Sequence, residues 1–201
     1  MQEEAGTPLT SPPPLSRPAR APVVGRSRLY AAIAGTAVVT VVADQVTKMW
    51  ALRALTPGLP RPLIGDWIQL NLIRNSGAAF SLGNQVTWLL TALALVIVAG
   101  VLVGARRVGH RGWALTFGLL LGGALGNLLD RVFREPGLFR GHVVDFLDYF
   151  GLFIGNVADI AIVLAAALVA LLTAKAVPLR GSPGADGIPA GSDGKPEAPH
   201  E

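Results

Sequence analysis

Four apolar runs organise the chain: Leu29–Trp50, Val86–Gly104, Trp113–Leu129 and Leu152–Ala174. A bilayer core asks for about 20 consecutive apolar residues, so the pattern predicts four transmembrane helices. The connections between them differ in kind. Residues 105–112 form a tight link, whereas 51–85 and 130–151 are long and mixed in polarity. Within the first long segment, Trp67-Ile68-Gln69-Leu70-Asn71-Leu72-Ile73 partly alternates, which predicts short strands. Asn75-Ser76-Gly77 then supplies a turn. The second segment turns at Glu135-Pro136-Gly137, and Gly141-His142-Val143-Val144-Asp145-Phe146 reads as extended. The expected fold class is an all-α membrane protein. Its four transmembrane helices carry a small β-rich segment on the outer membrane surface.

Composition agrees and adds boundaries. Of 201 residues, 51% are hydrophobic and 15% charged, against roughly 25% charged in soluble domains. Six of the 15 prolines fall in residues 1–27 and five in 176–201. Those two ends are therefore predicted to be disordered tails around one membrane domain, 28–175. The absence of cysteine excludes a disulfide scaffold. The first run is too long for the apolar region of a cleaved signal peptide, so it reads as an anchor. The net charge of +4 does not point to nucleic acid, because the basic residues form no dense run and few aromatics lie among them. Their placement reads as topology instead. Arg17, Arg20, Arg26 and Arg28 precede the first run, Arg106, Arg107 and Arg111 fill the tight link, and Lys175 and Arg180 follow the fourth. By the positive-inside rule both termini are cytoplasmic.

Few ionisable residues lie at membrane depth, so each needs a reason. Asp44 and Lys48 are four apart and share a helix face. They make either an ion pair with Lys48 reaching for the interface, or the edge of an outer site. Gly118, Gly122 and Gly126 recur every four residues, which lets a neighbouring helix approach closely. Asn127, Asp130 and Arg131 then form a polar face at the outer end of the third run. In the fourth, Asn156 and Asp159 are three apart, and no charge follows Asp159 until Lys175. A carboxylate so placed is a functional-site candidate. Asp145 or Asp148 could approach it from the preceding segment, and spacing does not choose between them. Two adjacent carboxylates share a proton, so one can deprotonate water while the other polarises a carbonyl. No metal-ligand spacing competes. His110, His142 and His200 are scattered, and local polar structure or solvated surface is the expectation for each.

These pieces resemble the lipoprotein signal peptidase (type II signal peptidase) family. The motifs are Asp44-Gln45-Val46-Thr47-Lys48, Asn75-Ser76-Gly77-Ala78-Ala79-Phe80 and Gly122 to Arg131, then Gly141 to Phe146 and Asn156-Val157-Ala158-Asp159. The resemblance covers roughly 30–172. It implies an aspartic endopeptidase of the bacterial cytoplasmic membrane that needs no cofactor and no metal. Its substrates would be diacylglyceryl-modified prolipoproteins, cut just before the lipidated cysteine on the extracytoplasmic side. By motif position Asp145 and Asp159 would be catalytic, which selects Asp145 over Asp148. Asn75 and Arg131 would bind substrate main chain. Asn127, Asp130 and Asn156 would support the dyad, and Asp44 with Lys48 would shape the site. Expected partners are the prolipoproteins and membrane lipids, with no nucleic acid, and the expected state is a monomer. The stretch Arg134 to Arg140 is longer than the family pattern and should enlarge an outer loop. A small proton- or ion-coupled transporter subunit is the main alternative, and a scaffold assembled through the glycine face is the third. Against transport, polarity collects at one side rather than along the membrane depth.

Overall fold

The structure is a computed structural model describing residues 25–77 and 87–180. The expectations for most of the two tails, for Ala78-Ala79-Phe80 and for Val86 lie outside the described residues. Four helices form: α1 (Arg26–Ala54), α2 (Thr87–Ala105), α3 (Arg111–Phe133) and α4 (Val157–Ala174). All four are long and apolar enough to cross a membrane. Four strands accompany them: β1 (Arg61–Ile64), β2 (Ile68–Asn75), β3 (Val143–Tyr149) and β4 (Phe153–Gly155).

Each helix follows from its side-chain pattern. In α1 the buried positions are Leu29, Ile33, Ala37, Thr40, Asp44, Lys48 and Ala51, one stripe at spacings of three and four. Val38, Val39, Val42 and Val46 face outward, the arrangement expected where the solvent is lipid. The central helix α3 touches α1, α2 and α4. A methyl group added at Gly118 would stand 2.6 Å from Thr36 Cβ, and one at Gly122 would stand 2.5 Å from Thr40 Cβ. The glycine steps are thus a packing seam against α1. Gly123 faces the other way, where a Cβ would lie 2.6 Å from the carbonyl oxygen of Ala158 in α4.

Besides α1, which runs beyond Leu29–Trp50 at both ends, two helix boundaries near the site differ from the sequence expectation. The helix α3 continues past Leu129 to Phe133, so the face of Asn127, Asp130 and Arg131 lies wholly within it. The fourth helix does not start at Leu152. Phe153–Gly155 is strand β4 and Asn156 caps α4. The reason is local: the Asn156 side chain accepts from the N–H of Asp159, and the Asp159 carboxylate accepts from the N–H of Asn156. That reciprocal capping box fixes where a helix begins more firmly than hydropathy does.

The two long connections also meet more closely than expected. Their strands form one antiparallel sheet in the order β1-β2-β3-β4. Asn75 pairs with Val143, Arg74 with Val144 and Ile73 with Asp145. Val144 and Phe146 pack with Ala51, Leu55 and Leu72 in a small core, and Trp50 meets Phe146 edge-on at 6.2 Å. The sheet therefore rests on the ends of α1 and α3 and sets β3 beside the start of α4. At the opposite end, the first residues after α4 are held down. Trp113 Nε1 donates to the Val177 carbonyl and Gly109 N–H to that of Leu179.

Candidate active site

Strand alternation decides which acid of β3 faces the helices. Asp145 and Asp148 differ by three, so they point to opposite faces. Asp145 is 2% exposed. Its Oδ2 accepts from Asn75 Nδ2 at 2.8 Å and its Oδ1 from Asn156 Nδ2 at 2.6 Å. Asn75 reaches it diagonally from β2, two positions beyond the directly paired Ile73. Asp148 is committed elsewhere: it accepts from Asn71 Nδ2 and from the N–H of Gly151, anchoring the turn after β3.

Asp159 stands in the first turn of α4. Its Oδ1 accepts from Asn127 Nδ2 at 2.8 Å and its Oδ2 from the N–H of Asn156 at 3.1 Å. Asn156 therefore links the two carboxylates, touching Asp145 with its side chain and Asp159 with its backbone.

The orientation of all three asparagines is determined by their neighbours. Asn75 Oδ1 accepts from Gly77 N–H, and Asn156 Oδ1 accepts from Asp159 N–H. Asn127 Oδ1 accepts from Lys48 Nζ at 3.0 Å and from Asn156 Nδ2 at 3.1 Å. Each oxygen faces an obligatory donor, so each amide nitrogen must aim at a carboxylate. Three side-chain N–H groups are fixed on the acid pair in this way.

Behind them lies an ionic cluster. Lys48 Nζ is 2.8 Å from Asp44 Oδ2 and 2.8 Å from Asp130 Oδ2. The expected i,i+4 pair of Asp44 and Lys48 is present, but Lys48 does not reach for the interface. It is fully buried, because two carboxylates and Asn127 use all three of its protons. Asp44 Oδ1 accepts from the N–H of Ala158, tying α1 to α4. Asp130 Oδ2 accepts from the N–H of Val144, tying α3 to the sheet.

Arg131 lies within electrostatic reach of Asp145, Asp130 and Asp159. Its Nη1 is buried without a hydrogen-bond partner. An orphaned guanidinium N–H is costly and is relieved by an incoming acceptor. Burial, reinforced by the nearby Asp159 charge, pushes the Asp145 carboxyl up to about 6, although the Asn75 bond opposes the shift. The arrangement can hold a proton on Asp145 up to about pH 6, leaving the neighbouring carboxylate to accept one from water.

The structure thus gathers Asp44, Lys48, Asn75, Asn127, Asp130, Arg131, Asp145, Asn156 and Asp159 at one end of the bundle. Of the histidines, His110 caps α3 through Nδ1 and Gly112 N–H. His142 donates its backbone N–H to the Glu135 carbonyl. Two contributors had no role in the sequence reading. Gln45 Nε2 lies within 3.2 Å of Asp44, Asp130 and the Gly126 carbonyl. Arg134 Nε donates to Asp130 Oδ1 at 2.6 Å. The i,i+4 spacing of Asp130 and Arg134 is the available signal, masked because Arg134 also begins the stretch read as an enlarged outer loop.

Comparison with known proteins bears on this geometry. Residues 36–175 match the family model described as signal peptidase (SPase) II. A lipoprotein signal peptidase of Mycobacterium avium (strain 104) is 45% identical over 166 residues, covering 83% of this chain and 87% of that protein. One from Rhodococcus jostii (strain RHA1) is 48% identical over 153 residues, covering 76% of each. A solved structure described as a bacterial membrane enzyme superposes with a TM-score of 0.64 at 26% identity, covering 73% of this chain and 94% of its own. Site geometry, sequence and fold converge, and the chain belongs to the signal peptidase II family.

Proposed function

We propose that this chain removes the signal peptide from diacylglyceryl-modified prolipoproteins, cutting just before the lipidated cysteine, with Asp145 and Asp159 as an aspartic dyad. The observation that carries this reading is Asn156, which hydrogen-bonds both carboxylates at once. In the reaction, Asp145 holds the shared proton, in keeping with its raised pKa. Asp159 takes a proton from a water as that water attacks the scissile carbonyl. Asp145 hydrogen-bonds the carbonyl oxygen and transfers its proton as the tetrahedral intermediate forms. As that gem-diol intermediate collapses, Asp159 passes its proton to the leaving amine, the C–N bond breaks, and one hydroxyl returns its proton to Asp145 as the carbonyl re-forms. Asn75 and the unpartnered Nη1 of Arg131 are suited to holding substrate main chain across the dyad. Asn127, Asp130, Asp44 and Lys48 hold the dyad's supports in place. The chemistry asks for no metal or cofactor.

A substrate bearing acyl chains stays in the bilayer, so the site belongs at the lipid–water boundary. By the positive-inside rule, the basic residues at the far end of the bundle support cytoplasmic termini, with the dyad and sheet on the extracytoplasmic side of the bacterial cytoplasmic membrane. The bundle satisfies its own glycine seam, in keeping with a monomer among membrane lipids. The test is detergent-solubilised protein mixed with a diacylated prolipoprotein and followed by mass. Loss of the signal peptide is expected, and cleavage of the unlipidated precursor at an equal rate would sink the lipid-dependent reading.

A further inference from the structure

We propose that Arg134, on the extended segment after α3, is a positioning residue for the dyad. It acts as the second cation that balances the buried Asp44–Lys48–Asp130 cluster and leaves Lys48 free to hold Asn127. The proposal rests on the dyad reading above.

The charge balance is the starting point. Asp44, Lys48 and Asp130 are each at most 1% exposed. Two carboxylates and one ammonium leave a surplus negative charge, and a buried uncompensated charge is expensive. Arg134 Nε meets Asp130 Oδ1 at 2.6 Å, while Lys48 and the N–H of Val144 occupy Oδ2. Each oxygen of Asp130 therefore faces one cation, and the cluster becomes two against two. Arg134 Nη2 also lies 3.5 Å from Gln45 Oε1, while Gln45 donates to Asp130 Oδ1.

The consequence reaches the dyad through one hydrogen bond. Of the three partners of Lys48, only Asn127 is neutral. Removing Arg134 places the whole charge of Asp130 on Lys48, so the neutral partner is the one that loses. Asn127 then has less reason to keep its oxygen toward Lys48 and its nitrogen on Asp159. The other groups facing the cluster do not replace the lost charge. They are Arg131 from α3, directed toward Asp145 and Asp159 as well as Asp130, Asp145 from β3, and the N–H of Ala158 with Asp159 from α4. Arg134 is about a quarter exposed and lines an open groove with His142 and Val144, so its substitution leaves no sealed cavity.

The experiment compares Arg134→Gln, Arg134→Lys and Arg74→Gln on a diacylated prolipoprotein, each below its own melting transition. Arg134→Gln should lower kcat about tenfold with KM within about twofold. Its alkaline limb in kcat/KM should move up by roughly half a pH unit, because surplus negative charge holds protons more tightly. Arg134→Lys keeps the charge and should recover to within about threefold of wild type. Arg74, whose pair with Glu135 is exposed, should be silent. Wild-type kcat and pH profile in Arg134→Gln would overturn the proposal. So would a loss that only tracks the folded fraction, or an Arg134→Lys variant as impaired as Arg134→Gln. If wild type and Asp145→Asn were equally inactive, the protease reading would fall with it.

Discussion

At the scale of single residues, side-chain amides fixed by their neighbours aim N–H groups at Asp145 and Asp159. Asn156 has two separable jobs, capping α4 and donating to Asp145. Replacing it with alanine should cost about 1 kcal/mol of stability through the lost cap. Turnover should fall further, on the order of 100-fold, as for loss of one preorganised donor. Asn156→Ser keeps a capping oxygen but not the amide, so it should restore the melting temperature and not the activity. Equal recovery of both would contradict the division. The raised Asp145 pKa gives a second prediction. A carboxyl at about 6 is mostly protonated below that pH and loses the shared proton above it. The value kcat/KM should therefore fall as pH rises through about 6, approaching tenfold per unit. A profile that keeps rising to pH 8 would contradict the assignment. Much of this scale was legible in the sequence, since helix spacing groups Asn127 with Asp130 and Arg131, and Asn156 with Asp159. The role of Arg134 was not, because it depends on where α3 ends.

Among the elements, hydropathy marked the helices well and their ends poorly. It is a sum over many residues, whereas an end is set by one or two hydrogen bonds. The capping box at Asn156 cut five residues from the expected fourth helix, and the polar face after Leu129 extended the third. The sheet was only half visible. Alternation flagged β2, but the pairing of β2 with β3 spans about seventy residues of chain and leaves no local signature. Nor did alternation choose Asp145 over Asp148; family resemblance did, and the opposite faces of β3 supply the physical reason. The α1–α3 seam is the element most open to test. Gly122→Leu would drive a side chain into Thr40 and the carbonyl of Ala37, which should destabilise the bundle by about 1–3 kcal/mol. Thermal melting in detergent reads this directly, and an unchanged transition would contradict the close approach.

For the whole molecule, the described acids are segregated to one end. The described acids gather with the sheet or the helix ends beside it, while Arg106, Arg107 and Arg111 mark the opposite end of the bundle. Because the chain has no native cysteine, single cysteines report topology without background. One at Ser27 should be reached only by reagents applied from the cytoplasm, and one at Leu152 only by those applied from outside. The reverse pattern would place the site on the wrong side for its substrate. The central claim is the pairing of Asp145 with Asp159 as the catalytic dyad. Its most direct test is the mass of a diacylated prolipoprotein incubated with folded, membrane-inserted Asp145→Asn, Asp159→Asn and Asp148→Asn. The account predicts an intact precursor with the first two and signal-peptide loss with the third, at or modestly below the wild-type rate. Near-normal cleavage by either of the first two variants would contradict it.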